Sequence, residues 1–114
     1  MAVETKEISS GTSGGSNFVS VVFDTHKYYN GGVQVNWSGF NNTNATMILQ
    51  GAVETAMGYN DLGGASGGIV CTSTANTQLW EFKEFTARYV RLSHVANDVT
   101  TGIVSIVAQG RYHL

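Results

Sequence analysis

Proline is missing altogether, cysteine occurs once, and Asp, Glu, Lys and Arg together make up only 12% of the 114 residues. Each shortage excludes something. With Cys71 as the sole cysteine no internal disulfide can close, so the fold must rest on a hydrophobic core, and a reducing place of synthesis is permitted. Six basic residues against eight acidic ones, with no basic run, leave counterion release little to act on, which excludes nucleic acid as a partner. No apolar run approaches the ~20 residues of a membrane helix, and the first twenty residues hold no signal-peptide core. The expectation is a protein made in a cytoplasm and kept off membranes.

What is present is small and polar. A chain of this length forms one domain and buries about two thirds of its unfolded surface. Gly, Ser, Thr and Asn supply about 40% of the residues, an unusual excess for a soluble domain. A surface of hydroxyls and amides costs less to desolvate than one of Lys and Glu, which suits a protein covered by neighbours. Three Asn-X-Ser/Thr triplets begin at Asn36, Asn41 and Asn44; without a secretory leader they read as loop polarity.

The chain divides into a Gly/Ser-rich arm, residues 1–16, and a β-domain, residues 17–114. The arm, "ETKEISSGTSGGS" with its flanks, has a linker's composition; ordering it requires a partner or the body of its own domain to offset the entropy lost. "NFVSVVFDT" sets Val19, Val21 and Phe23 in one phase and Phe18 and Val22 in the other. Asn30-Gly31 then predicts a type I′ hairpin turn between "KYY" and "VQVNW". "VQVNWS" alternates, with Val33, Val35 and Trp37 inward. "ATMILQGAVE" is a further strand, and the glycine-studded segment 55–68 reads as an excursion over the surface. Short strands follow at "IVCTST" and "QLWEF", then long ones at "FTARYVRLSHV" and "IVSIVAQGRYHL". The last is apolar in both phases, as in a central strand whose outer face is also covered. No stretch carries a helical period. The prediction is all-β: an antiparallel β-sandwich or jelly roll of about eight strands.

No site of catalysis stands out. Asp24 with His26, and His94 with Asp98, fall short of the three convergent ligands that a metal requires. Cys71, beside Ile69 and Val70, reads as a buried small hydrophobe rather than a nucleophile. "GGASGG" lacks the lysine and helix of a phosphate loop. The expectation is a non-enzymatic protein with no cofactor and no metal. The candidates for binding are aromatic and amide side chains: Tyr28, Tyr29 and Asn30 in "HKYYNGG", Tyr59 in "MGYNDLGG", and Tyr89 and Arg91 in "TARYVRL". Such groups suit a sugar's ring faces and hydroxyls, or a subunit contact.

The order "VQVNWSGF", "MILQGAVETAMGYNDLGG", "WEFKEFTARYVRLSHVA" and "TGIVSIVAQGRY" resembles discoidin-like jelly rolls over residues 33–112. It is also similar to small virion proteins of tailed bacteriophages, which are short, poor in cysteine and proline, and close on a comparable "aRYvRl … GtvsivaqGr" pattern. Discoidin domains are longer and framed by a cysteine pair, which this chain lacks. The resemblance therefore implies a bacteriophage structural protein, most simply a capsid decoration protein located in the virion. Its partners would be the major capsid protein or other virion subunits, with self-association into a homo-oligomer. A host-surface glycan or a place in the tail or baseplate is the alternative. Within "TARYVRL", Arg88 shares a phase with Val90 and Leu92, which places it at the rim of the core face and predicts a carboxylate partner such as Glu81 or Glu84. Arg91 lies beside Tyr89 on the outer face.

Overall fold

Alternation at period two decides the best-formed strand. Val33, Val35 and Trp37 are buried and Gln34, Asn36 and Ser38 exposed along the strand Asn30–Ser38. The computed structural model describes residues 2–54, 58–62 and 68–113, and builds them from strands. In chain order these are β1 (Ala2–Ser13), β2 (Phe18–Val19), β3 (Phe23–Asp24), β4 (Asn30–Ser38), β5 (Thr46–Ala52), β6 (Asn60–Asp61), β7 (Ile69–Val70), β8 (Asn76–Phe82), β9 (Tyr89–Val95) and β10 (Ile103–Tyr112). Part of the predicted excursion at 55–68 lies outside the described residues, and its described part supplies β6.

Two antiparallel sheets face one another. The first runs β1-β10-β4-β8; in the second β9 and β5 are central, with β2 and β3 on the outer side of β9 and β6 and β7 on the outer side of β5. Counting β2/β3 and β6/β7 as one interrupted strand each leaves eight. Their order is then first, eighth, third and sixth opposite second, seventh, fourth and fifth, the arrangement of a jelly roll. The core lies between: Ile8, Val35, Val104 and Ile106 from the first sheet meet Met47, Leu49, Val90 and Leu92 from the second. Trp37 and Trp80 are both buried, and the Trp37 indole donates to the carbonyl of Ser73 at 3.0 Å. At one end the asparagine-rich loop ties two connections together. Asn41 Oδ1 accepts from the Thr100 N–H at 2.8 Å, and Asn44 donates to Asp98 at 2.7 Å.

The Gly/Ser-rich segment forms β1, an edge strand paired antiparallel with β10 from Ala2↔Tyr112 to Ser13↔Ile103. Its own domain supplies the contacts that order it: Ile8 is fully buried, and the Ile8 carbonyl accepts from the Val21 N–H at 2.9 Å. The register slips between Glu7 and Ser9 and again between Ser9 and Thr12, where Gly11 adopts a φ of 59°. Glycine takes that conformation without the penalty a Cβ brings, so this glycine serves a bulge rather than a linker.

Two local expectations are corrected. Asn30-Gly31 is not a hairpin turn: both residues lie inside β4, and neither has a positive φ. The chain reverses earlier, where the Tyr28 N–H bonds the Thr25 carbonyl at 2.9 Å and Asp24 accepts from the His26 N–H at 2.9 Å. Gly31 is required instead for close approach, since a Cβ there would stand 2.0 Å from the Gln109 carbonyl oxygen. The single phase of Val19, Val21 and Phe23 is also broken. Phe23 is 2% exposed, whereas Val19 and Val21 are 50% and 60% exposed. Ser20 interrupts the strand, bonding Leu92 through both its N–H and its Oγ, and Val21 turns away to meet β1.

Candidate functional site

The outer face of the second sheet gathers three of the predicted binding residues. Strand alternation sends Val90, Leu92 and His94 of β9 inward and leaves Tyr89 and Arg91 on the other side. Arg91 stands directly across from Gln50 of β5, and its Nε donates to the Gln50 amide oxygen at 3.0 Å. Gln50 passes the chain on, donating to Asp61 at 3.2 Å. The Arg91 guanidinium lies 3.9 Å from the centroid of the Tyr59 ring, a close cation–π stack. Arg88 finds its carboxylate not at Glu81 or Glu84 but at Asp24, with Nε and Nη2 at 3.3 and 3.4 Å from the two carboxylate oxygens. The pairing of β3 with β9 brings Asp24 opposite Tyr89, nearer than either predicted glutamate. Burial pushes the Asp24 carboxyl up, but Arg88 and the His26 N–H outweigh it and hold the group below its ordinary value.

The run Tyr28-Tyr29-Asn30 is dispersed rather than gathered. Tyr28 stacks on Phe23 with ring centroids 5.3 Å apart, and its hydroxyl donates to Glu4 at 2.7 Å. Burial and then that bond push its phenol up to about 12. The ring lies on the bare backbone of Gly110, where a Cβ would come within 2.3 Å of it. Lys27 also reaches Glu4, at 2.7 Å, so these side chains are tied to one another in a structural cluster. Tyr29 stacks on His113, centroids 4.6 Å apart. Asn30 alone looks onto the outer face of the first sheet.

That face holds a feature the sequence reading missed, a groove of about 360 Å³ bordered by Asn30, Leu79, Glu81, Gln109 and Arg111, with Gly31 and Gly32 in its floor. The sequence predicts a turn at Asn30-Gly31. Here the two glycines mark a trough, because the residues around them come from strands far apart in the chain and only the register shows that they meet.

No family model matches this chain, and no curated protein matches it. A solved structure does. The fold is similar to that of the SPBc2 prophage-derived protein YomS, at 16% identity and a TM-score of 0.56, over 96% of each chain. The unmatched remainder is shorter than β1, so the likeness to YomS extends into the Gly/Ser-rich segment.

The titratable groups inside the sandwich are structural in placement. Among the described residues no three His, Cys, Asp or Glu side chains are grouped as a metal would need. Cys71 is buried, and burial pushes its thiol up to about 11, away from the thiolate a nucleophile requires. His94 is fully buried between the rings of Phe18 and Phe40, with Nε2 2.9 Å from the Gly14 carbonyl, which fixes it as the donor. Its Nδ1 is buried with no hydrogen-bond partner among the described residues. Burial lowers the imidazole below 6.5, and the bond to Gly14 opposes this only in part. The unfolded chain therefore takes up a proton near pH 6.5 that the folded chain refuses. The stability tied to this group is complete above that value and is lost as the pH falls through it toward the folded pKa. Thermal melts should show a midpoint falling from pH 7 to pH 5, and the fall should shrink in His94→Leu; an equal fall in both proteins would assign the pH dependence elsewhere.

Proposed function

We propose that this chain is a non-enzymatic structural protein of a bacteriophage particle and that it acts by covering assembled capsid subunits as a decoration protein. The observation that carries this reading is the likeness to a prophage-derived protein over nearly the whole of both chains. Surface chemistry supports it. Away from the groove, the outer face of the first sheet exposes the neutral side chains of Gln34, Asn36 and Thr77, a surface that another protein can cover at low desolvation cost. The edges support it as well. β1 is blunted by two register slips and by Glu4, Lys6 and Glu7, whereas β8 pairs with β4 through seven residues without a slip and has no strand on its other side among the described residues. An open, regular edge suits pairing with a neighbouring subunit, either a second copy or a lattice protein.

The mechanism is mass action. A protein that binds the assembled lattice and not its free subunits stabilises the lattice by RT ln(1 + [L]/Kd) at every site. Purified protein mixed with expanded capsids, with free major capsid protein and with isolated tails separates the possibilities. Saturable co-sedimentation with expanded capsids only is the expected result. Binding to tails only would move the protein to the tail or baseplate, and binding to neither would refute a structural role in the particle.

A further inference from the structure

We infer that the groove on the outer face of the first sheet is a binding site for an acidic saccharide. The register builds it row by row. In one row Glu81 of β8, Gly32 of β4 and Gln109 of β10 stand side by side; in the next, Asn30 and Arg111 are paired, with Lys83 just beyond the end of β8. Gly32 contributes no side chain, so the middle of the first row is bare backbone. A Cβ at that position would stand 2.9 Å from the Trp80 carbonyl oxygen, which excludes larger residues from the floor. The result is a trough about the size of small-ligand sites, ringed by amide, carboxylate and cationic groups.

Among the described residues the charged groups of the trough enter no ion pair. The ion pairs among the described residues are Lys27 with Glu4 and Arg88 with Asp24. Glu81, Lys83 and Arg111 belong to neither, although the chain has only fourteen charged residues. Gln109 makes one side-chain bond, to Thr5 at 3.3 Å, and leaves its carbonyl oxygen available. Leu79, 49% exposed, adds an apolar wall beside Glu81. Hydroxyls need paired donors and acceptors, which Asn30, Gln109 and Glu81 provide, and the C–H face of a sugar ring needs an apolar wall. Two cations against one carboxylate select an acidic substituent, with Arg111 suited to gripping it through two parallel bonds. The tyrosines first considered for a sugar are already occupied: Tyr28 by Phe23, Tyr29 by His113 and Tyr59 by Arg91.

Titration calorimetry of the full chain with tetragalacturonate, mannose 6-phosphate and neutral chitotetraose tests this. One or both acidic probes should bind, which of them identifying the acidic group, while chitotetraose should not. Arg111→Ala should weaken binding about tenfold or more, and Lys83→Ala should weaken it less. Both side chains are surface groups, and unchanged melting curves will show the variants folded. Several results would overturn the inference: no binding of either acidic probe, equal binding of chitotetraose, or unchanged affinity in Arg111→Ala. Concentration-dependent self-association that disappears in Arg111→Ala would make the groove a subunit contact and would likewise overturn it.

Discussion

Removing residues 2–13 should leave a protein that melts about 20 °C lower or fails to fold, because the segment is a strand of the sandwich. Three losses combine. The burial of Ile8 disappears, and truncating a buried isoleucine costs about 2–5 kcal/mol. The ladder between β1 and β10 goes with it, at about 0.5–1.5 kcal/mol net for each bond, and the central strand β10 becomes an edge. The Ile8 carbonyl also leaves the Val21 N–H without its partner. Against a total stability of about 5–15 kcal/mol these losses are decisive. Circular dichroism melts of the shortened and full chains measure the effect. An unchanged midpoint would show that the segment is a detachable tail.

Gly31→Ala should destabilise the protein by about 1–3 kcal/mol or more, the range for forcing atoms into a packed site. The new methyl carbon would be placed 2.0 Å from the Gln109 carbonyl oxygen, and that obstacle is backbone of the central strand, not the end of a flexible side chain. Either β4 and β10 separate locally or the ladder shears. Gly11→Ala provides the contrast. Apart from its chain neighbours, no atom of the described residues lies within 4 Å of the added carbon there, so only the strain of its φ of 59° acts. Urea titrations should rank Gly31→Ala as the more damaging of the two. The reverse order would mean that positive φ, not close approach, is the glycine requirement that matters most in this sheet.

These two segments also show where the sequence was legible. Strands β4 and β9 could be read because period-two burial writes itself into the order of residues, and β10 from its β-branched run, but Arg88 precedes β9 and lies beside Tyr89 and Asp24 rather than at the rim of the core face. The segment 2–13 could not be paired from its composition, since Gly, Ser and Thr serve a bulged edge strand as readily as a loop. Asn30-Gly31 misled because glycine reports two different needs, a positive φ or the absence of a Cβ, and the sequence does not say which. Partners distant along the chain were equally hidden: Arg88 meets Asp24 across 64 positions. Of the candidate binding residues, Tyr59, Tyr89 and Arg91 share one outer surface, Tyr28 and Tyr29 are absorbed by other contacts, and Asn30 reaches the groove. Gln109, Arg111 and Glu81 gave no sign of meeting, because pairing through β4 is what joins them.

Counting copies of this chain in purified phage particles by quantitative mass spectrometry tests the central claim most directly. The proposed role predicts a fixed number of copies per particle, in simple ratio to the major capsid protein and retained through density-gradient purification. Absence of the chain from particles, with its full amount recovered in the soluble lysate, would contradict it.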